Sequence, residues 1–201
     1  MPVKRKSVTK ISQARLFDTP YWVSMLEHFK EHPTKVSFNE DVIAYVHNLK
    51  DKEKSRTLSN EGGWQSELLP PKDFDNFFNE VYKIVEQLNL GVKEMRVAQV
   101  WMNINYKGDW NQMHLHNGRY DLCGNYYVKA SSNCGRLVFK DPRPAAMSSM
   151  FLVNRYAKGE FHKIEPKEGM LLLFPPYLEH MVEPSKTDEE RISISFDLNL
   201  N

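Results

Sequence analysis

The side chains with most chemistry to offer lie in the second half of the sequence. They are His114 and His116 in the run Asn111-Gln112-Met113-His114-Leu115-His116, then His180, then Arg191 and Ser193. Alternate side chains of an extended strand share a face, so a His-x-His pair presents two imidazoles to one side. Neutral imidazoles converging on a point are common ligands of borderline first-row metals. His180 ends the strand-like run that begins at Met170 and breaks at Pro175-Pro176. Arg191 opens Arg191-Ile192-Ser193-Ile194-Ser195-Phe196, where Arg191, Ser193 and Ser195 share one face and the apolar residues the other. A guanidinium beside a hydroxyl suits a carboxylate, which accepts charge-assisted bonds from both. The expectation is a metal held by histidines with a carboxylate anchor nearby. Each piece alone has a plainer reading: the His pair as surface or core residues, His180 as a satisfied strand-edge residue, Arg191 as an exposed partner of Glu189 or Glu190. His162 is a fourth candidate that no partner spacing recommends. His28, His32 and His47 fall in the helical region and read as surface.

A frame must position these groups. Thr19-Pro20 reads as an N-cap and first-turn proline, with Tyr21, Trp22, Met25, Leu26 and Phe29 following at helical spacing. Asn39 reads as the cap of a second helix carrying Val42, Ile43, Val46 and Leu49, and Asp51 to Gly63 as a polar loop. A third helix is expected from Asp73 to Leu90, with one apolar stripe for the core and Gly91 as its stop. From Val97 the period changes to that of strands. Candidates are Val97 to Tyr106, Met113 to His116, Leu122 to Lys129, Arg136 to Lys140, Phe161 to Pro166, Met170 to Phe174 and Arg191 to Leu198. Short strands between turn signals predict a β-sandwich or double-sheet jelly roll behind N-terminal helices, an α+β chain that is mainly β. The expected division is a helical support over 1–96 and a jelly-roll core over 97–201, together one structural domain.

The whole chain narrows the function. Its 201 residues are 41% hydrophobic and 26% charged, ordinary values for a globular protein. A net charge of +1 speaks against strong nucleic-acid binding. No run of about 18 apolar residues predicts a membrane span, and the basic start Met1 to Lys6 has no apolar segment behind it to make a secretory signal. Cys123 and Cys134 read as reduced thiols, which suits a cytoplasmic protein.

Four matches give the sequence a resemblance to the 2-oxoglutarate- and Fe(II)-dependent oxygenases. His114-Leu115-His116 stands where that family has His-x-Asp. Asn125-Tyr126-Tyr127-Val128 resembles the tyrosine-rich strand of prolyl hydroxylases, and Gly135-Arg136-Leu137-Val138-Phe139 the Gly-x-Leu-x-Phe strand. Gly169 to Phe174, His180, and Arg191 with Ser193 match the closing pattern. More narrowly, Trp101 to Asn105 through His116, with Lys140 to Arg143, is similar to uncharacterised members common in marine bacteria and their phages. The resemblance covers about Val97 to Leu198. It implies a jelly-roll (double-stranded β-helix) dioxygenase that uses Fe(II) as cofactor and 2-oxoglutarate as cosubstrate to hydroxylate a peptide, protein or small-molecule C–H bond. It departs from the usual two-histidine, one-carboxylate triad because His116 holds the carboxylate position. Either three imidazoles bind the metal or a carboxylate such as Asp121 completes the set. The similar subgroup also shows His-x-His, which favours His114, His116 and His180. The resemblance further implies that Arg191, Ser193 and Tyr127 hold the distal carboxylate of the keto acid. Asn103 and Asn105 either face the keto acid or substrate, or hydrogen-bond at a sheet edge. The rivals are a cupin-type metal enzyme, since Gly108, His114, His116 and Asp121 approximate the first cupin motif, and a non-enzymatic β-sandwich module. Gly62 to Ser66 and Trp110 are candidates for a pocket mouth, and the aromatic N-terminal helices would serve a homodimer as well as a core.

Overall fold

The computed structural model describes residues 18–30, 36–116, 118–143 and 159–201. In chain order its elements are β1 (Trp22–Met25), α1 (Phe38–Lys50), β2 (Asn60–Glu61), β3 (Trp64–Gln65), α2 (Asp75–Gln87), β4 (Met95–Asn105), β5 (Trp110–His114), β6 (Leu122–Lys129), β7 (Leu137–Lys140), β8 (Phe161–Ile164), β9 (Met170–Phe174), β10 (His180–Val182) and β11 (Arg191–Leu200). The strands make two antiparallel sheets, one ordered β1-β9-β6-β11-β4-β3 and the other β2-β5-β10-β7-β8. This is a jelly roll of the double-stranded β-helix type, closed on one side by the helices.

The period-2 pattern of the sequence explains how the large sheet is used. On β11, Ile192, Ile194, Phe196 and Leu198 are fully buried against the helices, as are Val100, Met102 and Ile104 of β4. The stripe of α2 meets them: Phe77 and Phe78 lie 5.7 and 5.4 Å from the Phe196 ring. Each such side chain taken from water contributes about 1.5–3 kcal/mol. The residues between them, Arg191, Ser193, Ser195 and Asp197, face the space between the sheets.

Several elements differ from the sequence expectation. The residues around Trp22 form a strand, not a helix. The edge of all-apolar β9 needs a backbone partner, and Trp22 pairs with Leu173 and Met25 with Met170 to supply it. A helix-like pattern of under three turns does not outweigh that pairing. The cap of α1 is Ser37, which forms a capping box with Glu40. Asn39 instead sits buried in the first turn, donating to the Val128 carbonyl at 2.9 Å and accepting from the Tyr126 hydroxyl at 2.8 Å, so it ties α1 to β6. The third helix is shorter than Asp73 to Leu90, because Pro71–Phe74 forms a 3-10 turn and Asn89, with φ of 54°, ends the helix before Gly91. The expected loop from Asp51 to Gly63 contains β2. His180 does not end the run from Met170. Pro175-Pro176 cannot continue the ladder, and the chain crosses to the other sheet, where His180 opens β10. The region before 97 also supplies strands to both sheets through β1, β2 and β3.

Candidate active site

The two sheets face each other across a cavity of about 580 Å³. The five-stranded sheet brings the histidines to it. His114 ends β5 and pairs directly with His180 on β10. His116 lies two residues beyond, outside the strand, where its backbone N–H donates to the Pro176 carbonyl at 3.2 Å. The rings stand 4.3 Å (His114–His180), 5.2 Å (His116–His180) and 5.8 Å (His114–His116) apart between centroids. One ring nitrogen of each lies within 4.8 Å of the others. Trp101 and Phe174 pack against the His116 and His180 rings.

The partners of the other ring nitrogens define the tautomers. Nδ1 of His114 meets the Gln112 carbonyl at 2.7 Å, Nδ1 of His180 the Leu178 carbonyl at 2.9 Å, and Nδ1 of His116 the Asp197 carboxylate at 2.6 Å. All three partners only accept, so Nδ1 carries the proton and donates, which leaves Nε2 of each ring with its lone pair for a ligand. Burial, with His116 nearby, lowers the His114 pKa. Burial and the two neighbouring imidazoles hold His180 well below the ordinary imidazole value. Both rings are therefore neutral at neutral pH, the form that binds a metal.

The six-stranded sheet supplies the opposite wall as cross-strand rungs. Reading along β11, Arg191 lies beside Asn105, Ser193 between Asn103 and Tyr127, Ser195 between Trp101 and Asn125, and Asp197 between Gln99 and Cys123. Arg191 is buried. Its Nη1 donates to the Gly135 carbonyl at 3.2 Å and its Nη2 to Asn105 Oδ1 at 2.7 Å, while Nε has no partner. Among the described residues no carboxylate forms an ion pair with it. A buried guanidinium with a spare donor and no counter-charge fits an anion. Gly135 makes this hold available: its φ is +94°, and a Cβ there would collide with the Glu183 carbonyl. Burial pushes the Tyr127 phenol up to about 12, so it remains a donor beside Arg191. The Ser195 hydroxyl accepts from Asn103 Nδ2 at 3.1 Å and donates to Asn125 Oδ1 at 2.8 Å.

Most of the residues named from the sequence meet here. His114, His116, His180, Arg191, Ser193, Tyr127 and Asn103 all line the cavity. Asn105 sits behind Arg191 and orients it. Asp121 does not join the histidines: its carboxylate accepts from the Leu200 backbone N–H at 2.9 Å. His162 is exposed on β8 and bonded to the Tyr21 hydroxyl, His28 is exposed, and His47 pairs with Glu190. His32 lies outside the described residues. Of Gly62 to Ser66, Gln65 reaches the cavity wall; Trp110 does not line it. Sequence reasoning missed Asp197 and Gln99. Extending the alternation Arg191, Ser193, Ser195 by one more step would have found Asp197, and its partner strand then gives Gln99.

Three convergent imidazoles opposite a buried arginine with a spare donor make a site suited to a metal ion with an anion beside it. Residues 99–197 match the family model described as putative 2OG-Fe(II) oxygenase. No curated protein matches the sequence. Among solved structures, the fold is similar to a Pseudomonas putida prolyl-4-hydroxylase at 15% identity, covering 91% of this chain and 94% of that one, with a TM-score of 0.61. It is similar to HygX from Streptomyces hygroscopicus, solved with nickel, 2-oxoglutarate and hygromycin B, at 12% identity over 90% and 83% of the two chains and a TM-score of 0.61. It is also similar to SnoK, a non-heme alpha-ketoglutarate-dependent carbocyclase from nogalamycin biosynthesis, at 11% identity over 91% and 80% and a TM-score of 0.63. The chain belongs to the 2-oxoglutarate- and Fe(II)-dependent oxygenases. Its activity is that of an Fe(II)- and 2-oxoglutarate-dependent dioxygenase. No helix among the described residues is long and apolar enough to cross a membrane.

Proposed function

We propose that this enzyme hydroxylates an uncharged part of a peptide, protein or small molecule, with Fe(II) held by Nε2 of His114, His116 and His180. In this reading Arg191, Ser193 and Tyr127 hold the distal carboxylate of 2-oxoglutarate. The observation that carries it is the meeting, in one cavity, of three imidazoles whose Nε2 lone pairs are free with a buried arginine whose Nε lacks a partner. Both halves fit: the imidazoles offer neutral nitrogen donors, and Arg191 offers a charge for an anion. Bound there, the metal would supply a chelating centre for the keto acid and the redox capacity to activate oxygen. The protein supplies the rest. The Gln112 and Leu178 carbonyls fix two of the rings, Asn105 aims the guanidinium, and Trp101 and Phe174 keep water from the imidazoles.

The cavity wall supports an uncharged substrate group. Among the described residues, no ionisable group other than tyrosine lines it apart from Arg191 and the three histidines, whereas carboxamides from Gln65, Gln99, Asn103 and Asn125 do. The helices before residue 97 act as support for the large sheet. Two buried free thiols are consistent with a cytoplasmic setting.

The test is anaerobic titration of the Fe(II)-loaded protein with 2-oxoglutarate, following the visible metal-to-ligand charge-transfer band of the chelate. The wild type should develop the band, and Arg191→Ala should need far more keto acid to reach it. Metal binding without a band would favour a cupin-type enzyme that uses no keto acid. Oxygen-dependent succinate release with neutral peptides, but not with charged analogues, would then define the substrate.

A further inference from the structure

Asp197 is the most tightly enclosed acid of the described chain, with no exposed surface. It sits on β11 three rungs from Arg191, on the cavity-facing side, where a bulge separates it from Leu198 in the pairing with β4. One carboxylate oxygen accepts the Nδ1 proton of His116 at 2.6 Å, and the other accepts from Gln99 Nε2 at 2.5 Å. The Cys123 thiol adds a further contact from β6 and is pushed far up by burial and by this carboxylate. Among the described residues no Lys or Arg pairs with it; His116 is its sole ion-pair partner. The bond to His116 also spans the two sheets, since His116 follows β5 and Asp197 belongs to β11.

We propose that Asp197 is the displaced carboxylate of the metal centre: a positioning residue that aims His116 and passes its negative charge to the metal through that ring. The proposal rests on the metal site of the preceding section. The usual triad places a carboxylate directly on the metal. Three neutral imidazoles leave a divalent site more positive by one charge. A buried carboxylate one hydrogen bond behind the middle histidine restores that charge and strengthens the ring as a donor. A purely structural tie would need a protonated His116 as the counter-charge of this anion, and a protonated ring has no lone pair to offer a metal. His116 and Gln99 engage both oxygens, which holds the carboxylate behind the ring.

The experiment is anaerobic titration with Co(II), a spectroscopic probe, and with Fe(II), on wild type, Asp197→Asn, and the swap His116→Asp with Asp197→Asn. Metal-free melting temperatures are recorded alongside. Asp197→Asn should melt no lower than wild type without metal, bind metal about 10–100-fold more weakly, and alter the visible Co(II) spectrum. The swap moves a carboxylate onto the metal and should recover at least part of the lost affinity. Equal Co(II) affinity and an unchanged spectrum in folded Asp197→Asn would overturn the proposal. If that single variant does not fold, the swap decides: folded and metal-binding supports it, folded without metal binding overturns it. A third readout needs no variant. On adding Zn(II), the low-field Nδ1 proton signal of His116 should persist, because ligation is at Nε2; its loss would overturn the proposal. No metal binding by the wild type would instead overturn the metal centre itself.

Discussion

The two faces of β11 carry opposite assignments. On one, Ile192, Ile194, Phe196 and Leu198 are sealed against the helices and make the core. On the other, Arg191, Ser193 and Asp197 are equally buried yet polar, and two of them are ions of opposite sign without a salt bridge to Lys, Arg, Asp or Glu. Burial is thus not what separates the faces; satisfaction is. Apolar burial stabilises the chain by itself, whereas buried charge is tolerated in proportion to what it binds. A strand of ten residues therefore holds stability and chemistry side by side, separated only by the alternation of its side chains.

Substitutions on each face should separate the two quantities. The largest effect is expected from Phe196→Ala, which removes a ring packed against Phe77 and Phe78 and should lower unfolding stability by about 3–5 kcal/mol. Denaturant titration would show this, while the molecules that remain folded keep their affinity for 2-oxoglutarate. Next, Arg191→Ala should weaken 2-oxoglutarate binding by about 2–5 kcal/mol, the range for truncating one partner of a buried charge pair. The metal-free protein should lose no stability; a large drop in melting temperature would break the comparison. Asn39→Ala probes a polar group that lies on the core side. Leaving the Tyr126 hydroxyl and Val128 carbonyl unpaired should cost about 1–3 kcal/mol without touching metal or keto-acid affinity.

The smallest effect is a dependence on pH in the metal-free protein. His114 and His180 have pKa values lowered from 6.5 in the fold, so below that value the unfolded chain takes up protons that the folded one does not. Stability should be complete above about pH 6.5 and fall as pH drops through it, by at most about 1.4 kcal/mol per pH unit for each group. Occupying the three Nε2 atoms with metal should steepen the loss, since acid then also releases the ligand. A flat profile between pH 7 and 5 would show that the rings are not neutral by virtue of burial.

How much of this was legible beforehand depended on whether local pattern or distant pairing decided the outcome. Strands β6 and β9 appear with the bounds read from the sequence, because strict alternation or an unbroken apolar run is a local property. Arg191 and Ser193 were placed on one face for the same reason. The trio His114, His116 and His180 was grouped from residue type and strand alternation and favoured over Asp121 through the family resemblance, since the pairing of β5 with β10 that joins them is a long-range event. β1 was misread as helix because its fate is set by the open edge of β9, roughly 150 positions away. Ser37 was passed over for Asn39, although both are good caps, because only the structure shows that Asn39 is engaged with β6. Asn105 read either as a contact of the keto acid or substrate or as a sheet-edge hydrogen-bonding group, and it accepts from Arg191 behind the cavity wall, a placement that side-chain reach decides and spacing does not.

Cys123 carries a consequence of a different kind. Its sulfur lies beside Asp197 and close to His116, within reach of a centre that handles oxygen. Thiols are oxidised as thiolates, and this one is kept protonated by burial and by the neighbouring anion. The same carboxylate that faces the histidine thereby shields the sulfur, so repeated aerobic turnover should leave Cys123 unmodified while exposed methionines accumulate sulfoxide.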